Sequence, residues 1–265
     1  MILAISNSAV LSARNALTRN QTQQGRVLQR LATGKKINAG RDDPAGLISS
    51  EQLAAEIRAL EAETKSLSRV HSNATIVDGN VGQVSEMLGD INALVVASAN
   101  QAGMSDEEIA ANQMQIDSAV AGIERVTGQS ISSLEGINIP NGGNAAVEAK
   151  LNSALAAVSS LKTGGANSLT SGNFEDAQTA IRGAITDVAV SRGVVGAYQK
   201  YTVESRINSN NVTIENLTAS RSRIVDTDYA VETSNLIRSE ILTTANIKTL
   251  KIAGQQGAHV LALLK

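Results

Sequence analysis

Six apolar side chains recur at seven-residue intervals in one unbroken run: Leu60, Leu67, Ala74, Val81, Leu88 and Val95. Three residues after the first five stand Glu63, Val70, Val77, Val84 and Ile91. A seam sustained over that length specifies a long helix burying one stripe against other long helices. An aromatic share of 2% in 265 residues fits, with one Phe, three Tyr and no Trp. Narrow seams fill with Leu, Ile, Val and Ala, whereas a thick core and an enclosed pocket draw on aromatic rings. The expected fold is mainly all-α: a long antiparallel helical bundle or coiled coil, with a short irregular centre that has room for a small β-hairpin.

The remaining composition narrows the function classes. A net charge of −2 with no basic block gives nucleic-acid binding no footing. The chain has no cysteine, which excludes disulfides, thiol catalysis and thiolate metal sites. Its start, Met1-Ile2-Leu3-Ala4-Ile5-Ser6-Asn7, lacks the cationic flank and apolar run of a cleavable signal. The longest apolar runs, such as Ala93 to Ala97, are too short to span a bilayer. We therefore expect a soluble chain, or one exported by a route that reads no conventional signal, with no membrane insertion.

Leu3, Val10, Leu17 and Leu31 share one heptad phase, so a first helix is expected to about Leu31, broken by Thr33 to Gly40. Asp43 and Pro44 read as N-cap and first residue of the long helix, which runs to about Asn100, roughly 85 Å at 1.5 Å per residue. Gly79, Gly82 and Gly89 inside it suggest close backbone packing. Ser105 and Glu108 form a capping box for a helix ending near Gly128. Ser132 to Gly143 reads as loop, with a short strand at Ile137 to Ile139, and Ala145 to Leu161 as a short helix. Phe174, Ile181, Val188 and Val195 share a phase that Val203, Leu217 and Ile224 resume one residue late. Such a slip suits straight or mildly right-handed packing. Asp226-Thr227-Asp228 marks a junction before a last helix with Tyr229, Leu236, Leu250 and Leu264, and with Ile247 and Leu261, at multiples of seven.

This plan is near-palindromic, and its halves can lie antiparallel. We divide it into a discontinuous terminal-helix domain, residues 1–42 plus 226–265, and a long-helix domain, residues 43–225. A two-helix hairpin gives the terminal stripes too little cover, so copies of the same chain are the expected partner. The self-assembly residues are then Leu3, Val10, Leu17, Leu31, Leu236, Ile247, Leu250, Leu261 and Leu264.

No arrangement for catalysis can be argued, so an enzyme is not expected, and neither is a cofactor or a metal. His71 and His259 lie far apart without ligand spacing. Gly79-Asn80-Val81-Gly82 lacks the strand that precedes a phosphate loop. Asp106, Glu107 and Glu108 belong to a helix's first turn, where the dipole accounts for them. Arg41, Asp42 and Asp43 read equally as a helix cap with a local ion pair or as a subunit contact. Ser130, Ser132, Ser133, Ser168, Thr170 and Ser171 fall in the irregular centre, where O-linked sugars could attach.

Two stretches carry a resemblance. Arg26-Val27-Leu28-Gln29-Arg30-Leu31-Ala32-Thr33-Gly34-Lys35-Lys36-Ile37-Asn38 with Arg41-Asp42-Asp43-Pro44-Ala45-Gly46 closely resembles the amino-terminal signature of bacterial flagellins. Ser220-Arg221-Ser222-Arg223-Ile224 with Asp226-Thr227-Asp228-Tyr229-Ala230, and the ending Val260 to Lys265, resembles their carboxy-terminal one. The likeness covers about residues 1–135 and 165–265 and leaves a minimal form without large outer domains. It implies a secreted subunit that polymerises with itself into the flagellar filament for swimming. The family's terminal helices form an inner tube and its long helices an outer one. The resemblance also implies type III export, a flagellar export chaperone, and hook-associated and cap proteins as partners. A hook–filament junction protein shares the terminal design and is the alternative, and a chemoreceptor-like signalling coiled coil is a remote one.

By the same resemblance, the segment that the flagellin-sensing Toll-like receptor contacts corresponds to Leu88–Leu94. Leu94 matches the family's pattern there. Gly89 lies within the segment, Asp90 stands for an Arg, Ala93 for a Glu, and Gln115 for a further Glu. A reversed charge at an interface costs several kcal/mol, so weak receptor activation is expected.

Overall fold

In the computed structural model the backbone is described for residues 2–99 and 105–263, and the side chains for residues 10–99 and 105–255. Among these residues the secondary structure is helical, with no strand beyond one isolated bridge. The elements are α1 (Ile2–Thr33), α2 (Pro44–Ala99), α3 (Asp106–Leu134), α4 (Gly143–Ser159), a 3₁₀ turn at Leu169–Ser171, α5 (Phe174–Tyr198), a π-helical turn at Gln199–Glu204, α6 (Ser205–Val225) and α7 (Tyr229–Leu263). They divide into two compact units, Met1–Ala59 with Ile214–Lys265, and Leu60–Thr213.

The start of α2 follows from two neighbouring carboxylates with different tasks. Asp42 Oδ2 accepts the N–H groups of Asn38 and Ala39 at 3.1 and 3.0 Å, closing the preceding turn. Asp43 Oδ1 accepts the Gly46 N–H at 2.9 Å, the N-cap bond, with Pro44 at the first helical position. The heptad seam of α2 is buried from Ala74 to Val95 and half-buried at Leu60, Glu63, Leu67 and Val70. Close backbone packing does not explain Gly79 and Gly89, which face open space, whereas Gly82 lies under the Arg192 guanidinium.

The Ser105–Glu108 capping box opens α3, with both reciprocal bonds present. The helix then runs past Gly128 to Leu134, longer than the glycine suggested. Burial of Thr127, Ser130 and Leu134 continues the stripe of Ile116, Val120 and Ile123. The serines of this last turn satisfy themselves locally: Ser130, Ser132 and Ser133 hydroxyls donate to carbonyls four residues back. Continuous burial outweighs the roughly 1 kcal/mol that one exposed glycine costs.

The expected strand at Ile137 to Ile139 is irregular backbone organised by one side chain. Asn144 Oδ1 accepts the Ile139 N–H at 2.9 Å, and its Nδ2 donates to the Leu134 and Ile137 carbonyls at 3.1 and 2.5 Å. Ile137 and Ile139 are thereby buried without a strand partner.

The one-residue slip between Val195 and Val203 has a definite cause. Residues Gln199–Glu204 form a π-helical turn, which takes up one extra residue while the helix continues. Val195 before it and Val203 within it are both buried. The slip is thus a local insertion, not a drift of phase along straight helices.

The core of the Leu60–Thr213 unit joins α2, α3, α4 and α5 through residues such as Leu88, Ile116, Leu151 and Ile181. Arg192 reaches Asp78 at 3.0 Å, Gln199 reaches Thr75 at 3.0 Å, and Arg206 reaches Glu63 at 2.5 Å. As numbers rise along α5 and α6 they fall along α2, so the two run antiparallel. The loop between α4 and α5 is held by a buried amide. Gln113 Nε2 donates to the Leu161 carbonyl and to Asp117 Oδ1 at 2.8 and 2.9 Å, and its Oε1 accepts the Leu169 N–H at 2.7 Å. Asp117 in turn accepts the Thr163 N–H at 2.9 Å and hydroxyl at 2.6 Å. Burial raises its pKa, but the bonds from Thr163 and Gln113 and the Lys162 charge outweigh that, and the net shift is downward.

Candidate assembly surface

The Met1–Ala59 and Ile214–Lys265 unit is built on the pairing of α1 with α7. Lys35 forms an antiparallel bridge with Asp226, and Arg30 pairs with Glu232, so the helices run in opposite directions. Main-chain bonds close the junction: Lys36 N–H donates to the Val225 carbonyl at 2.6 Å, and Thr227 N–H to the Gly34 carbonyl at 2.9 Å. Gly34 leaves α1 at φ +69°, and a Cβ there would stand 3.0 Å from the Tyr229 hydroxyl. Glycine is favoured on both counts. Asp228 caps α7 by accepting the N–H groups of Ala230 and Val231 at 2.9 and 3.1 Å.

On α1 the less exposed positions include Val10, Ala13, Leu17, Val27 and Leu31, and on α7 Glu232, Leu236, Ser239, Thr243 and Leu250. Each set forms one helical stripe, and these are the faces the two helices turn to each other. Five of the expected assembly residues, Val10, Leu17, Leu31, Leu236 and Leu250, therefore lie half-buried within the α1–α7 pair. Ile247 is exposed. Leu3, Leu261 and Leu264 lie outside the described side chains.

A second set of apolar residues has no cover from α1. Val231, Ile237, Ile241, Leu242 and Ile252 are exposed on α7 along with Ile247, Ile241 most of all at 63%. On α1, among the described side chains, the exposed large apolar residues are Leu11 and Leu28. The heptad spacing singles out Ile247 but none of the others, because α7 is apolar well beyond the stripes that its two phases describe. The signal was in the plain count of Ile, Leu and Val in residues 229–263, since a helix apolar on several sides is normally covered on several sides.

Around the junction, Asp42 and Asp43 are engaged in the turn and cap described above. The two backbone N–H groups on Asp42, with Arg41 and Arg30 nearby, hold its carboxyl below the usual range against a small effect of burial. Arg41 is exposed beside a groove that it lines with Thr22, Gly25, Arg26, Gln29 and Asp42.

In the other unit, Gly89, Asp90 and Ala93 are exposed on α2, Leu94 is half-buried, and Gln115 is exposed on α3. Asn112 Nδ2 reaches Ser98 Oγ at 3.1 Å, which brings α3 alongside the same end of α2. Of the side chains offered for sugars, Ser130 and Ser168 are buried and Ser130, Ser132 and Ser133 are helical, while Thr170 and Ser171 are exposed at the 3₁₀ turn between α4 and α5. His71 is half-buried, with Nδ1 lacking a hydrogen-bond partner, and His259 lies outside the described side chains. Among the described residues no group of three or more His, Asp or Glu converges as a metal site, and no helix is long and apolar enough to cross a membrane.

Both ends of the chain match known protein regions. Residues 5–145 match the model of the bacterial flagellin N-terminal helical region, and residues 178–264 that of the C-terminal helical region. The chain is 28% identical to a flagellin of Halalkalibacterium halodurans, over 98% of each chain. It is 28% identical to a flagellin of Bacillus subtilis, again over 98% of each. It is also 28% identical to a flagellar filament 30.7 kDa core protein of Treponema maltophilum, over the full length of both.

Proposed function

Since the chain belongs to the bacterial flagellin family, we propose that the exposed apolar set on α7 is the surface by which one subunit takes hold of the next. The protein is a structural subunit of the flagellar filament, an extracellular assembly, and its family is structural rather than enzymatic. Within that role α1 and α7 divide the work. The stripe of Val10, Leu17, Leu31, Leu236 and Leu250 holds the terminal helices together, while Leu3, Leu261 and Leu264 stay self-assembly positions by their heptad phase in the sequence. Val231, Ile237, Ile241 and Ile252, joined by Ile247, meet neighbouring copies. Arg41, with Arg26 beside it, offers a charged subunit contact at the junction, while Asp42 and Asp43 shape it. The terminal-helix part, residues 1–42 plus 226–265, is the inner layer of the filament, and residues 43–225 are the outer layer. Export by the flagellar type III route, with a chaperone covering the apolar helix beforehand, and hook-associated and cap proteins at the filament ends complete the proposal.

The observation that carries this reading is Ile241, an isoleucine 63% exposed in the middle of a helix that already has an intramolecular partner. Burying such a side chain at an interface yields about 1.5–3 kcal/mol. The test is polymerisation of the purified chain followed by electron microscopy. The full chain forms long filaments, and Ile241→Ser with Ile237→Ser forms none while retaining its helical signal. Normal filaments from that double variant would remove the α7 surface from the proposal.

A further inference from the structure

The turn that leads into α4 contains the chain's one Asn-Gly pair, Asn141-Gly142. Both residues are exposed and both have positive φ, 57° and 74°. The turn is closed by the Gly143 N–H donating to the Pro140 carbonyl at 3.1 Å. Two central residues at positive φ are what a type I′ β-turn demands, and Asn-Gly is its preferred pair.

Two asparagines three positions apart are used in opposite ways. Asn144 spends its side chain on three backbone groups and is followed by Ala145. Asn141 makes no hydrogen bond through its side-chain amide, and the Gly142 N–H is likewise unengaged. A Cβ placed on Gly142 would meet nothing within 4 Å, so no neighbour shields its backbone nitrogen. The electrophile, the nucleophile and free space thus coincide at one exposed turn. The other described asparagines lack a following glycine.

We propose that Asn141 is a site of spontaneous self-modification. The Gly142 amide nitrogen attacks the Asn141 Cγ; a C–N bond forms, the N–H proton is lost, and the Cγ–Nδ2 bond breaks with ammonia as leaving group. Water then opens the resulting five-membered imide at either carbonyl, giving aspartate or isoaspartate at 141. Water is the one co-reactant, so the change records elapsed time and needs no enzyme. The product places a negative charge just before the first turn of α4, where the helix dipole favours it. The isoaspartate form also lengthens the backbone between α3 and α4 by one methylene. This inference does not depend on the filament reading.

The full-length chain is incubated in mildly alkaline buffer, digested, and followed by peptide mass spectrometry with isoaspartate-specific detection, beside a urea-unfolded sample. The expected result is loss of the side-chain amide at 141 in the folded sample ahead of every other described asparagine, with both acid forms present. Asn141→Gln abolishes the signal from this peptide and leaves the helical circular dichroism unchanged. If residue 141 keeps its amide in the folded chain while the unfolded chain loses it, the turn protects the pair and the proposal fails. It fails equally if Asn167 or Asn173, both followed by residues other than glycine, is converted first.

Discussion

Arg30 Nη1 lies 2.8 Å from Glu232 Oε1, an ion pair between side chains 202 positions apart in sequence. The two ends of this bond are unequally covered: 30% of the arginine side chain is exposed, against 8% of the glutamate. It ties α1 to α7 at the polar end of their shared stripe, where Asn235 adds a second bond to Glu232 at 3.3 Å.

That inequality predicts an asymmetry between the two deletions. Glu232→Ala leaves an arginine that can turn to water, and costs about 1–2 kcal/mol. Arg30→Ala strands a nearly buried carboxylate and costs more, about 3 kcal/mol. Hydrogen exchange of the amides of residues 229–245 in each variant measures both. Equal losses would mean that the carboxylate finds water in the folded state.

Asp117 predicts an acid-sensitive loop. Its pKa is lower folded than unfolded, so its contribution is complete above the usual carboxylate range and is lost as pH falls through the lowered folded value. The bonds to Thr163 weaken first, and the α4–α5 loop opens before the helices melt. Asp117→Asn keeps the shape but loses the charge, and lowers stability by about 1 kcal/mol at neutral pH. Protease nicking near residues 162–166, followed from neutral pH into the acid range, checks this in both proteins.

The π-helical turn predicts which residues the chain can spare. Deleting Tyr201, exposed on that turn, converts it to ordinary α-helix and keeps Val195 and Val203 on one stripe. Deleting Val190, also exposed but inside α5, rotates every later core position by about 100°. Thermal melts followed by circular dichroism separate the two. The Tyr201 deletion stays within a few degrees of the parent, and the Val190 deletion loses its cooperative transition.

The exposed face of α2 at Asp90 predicts a poor stimulus for the flagellin-sensing receptor. Introducing the charges that the resemblance assigns to these positions, with Asp90→Arg, Ala93→Glu and Gln115→Glu, raises the response of reporter cells. All three positions are exposed, so the substitutions leave the fold intact. A strong response from the unaltered chain would refute the expectation.

The residues that announced the fold did so through local rules. The α2 seam, the Asp43 cap and the Ser105–Glu108 box each need only a few neighbours in sequence to be understood. Gly128 misled because the cost of one glycine is local while its compensation, the burial of Ser130 and Leu134, comes from distant helices. The slip before Val203 was visible in the letters, but a phase change has several mechanical causes and only backbone hydrogen bonding identifies a π turn. At the candidate assembly surface the heptad rule picked residues for contacts between copies, and five of them lie in the stripe shared by α1 and α7. It passed over Ile237, Ile241 and Ile252, which obey no single phase. Asn144 and Gln113 were silent, since their partners are backbone atoms that no side-chain pattern encodes.

The junction where Lys36 and Thr227 donate to Val225 and Gly34 is written in main-chain atoms. Replacing either donor residue with almost any other leaves those bonds in place, so mutation at 36 or 227 can recolour the crossing without cutting it. Proline at 36 or 227 is the exception, because it alone arrives without a hydrogen to give. Descendants of this chain can drift far in spelling there and still fold back on themselves at the same spot.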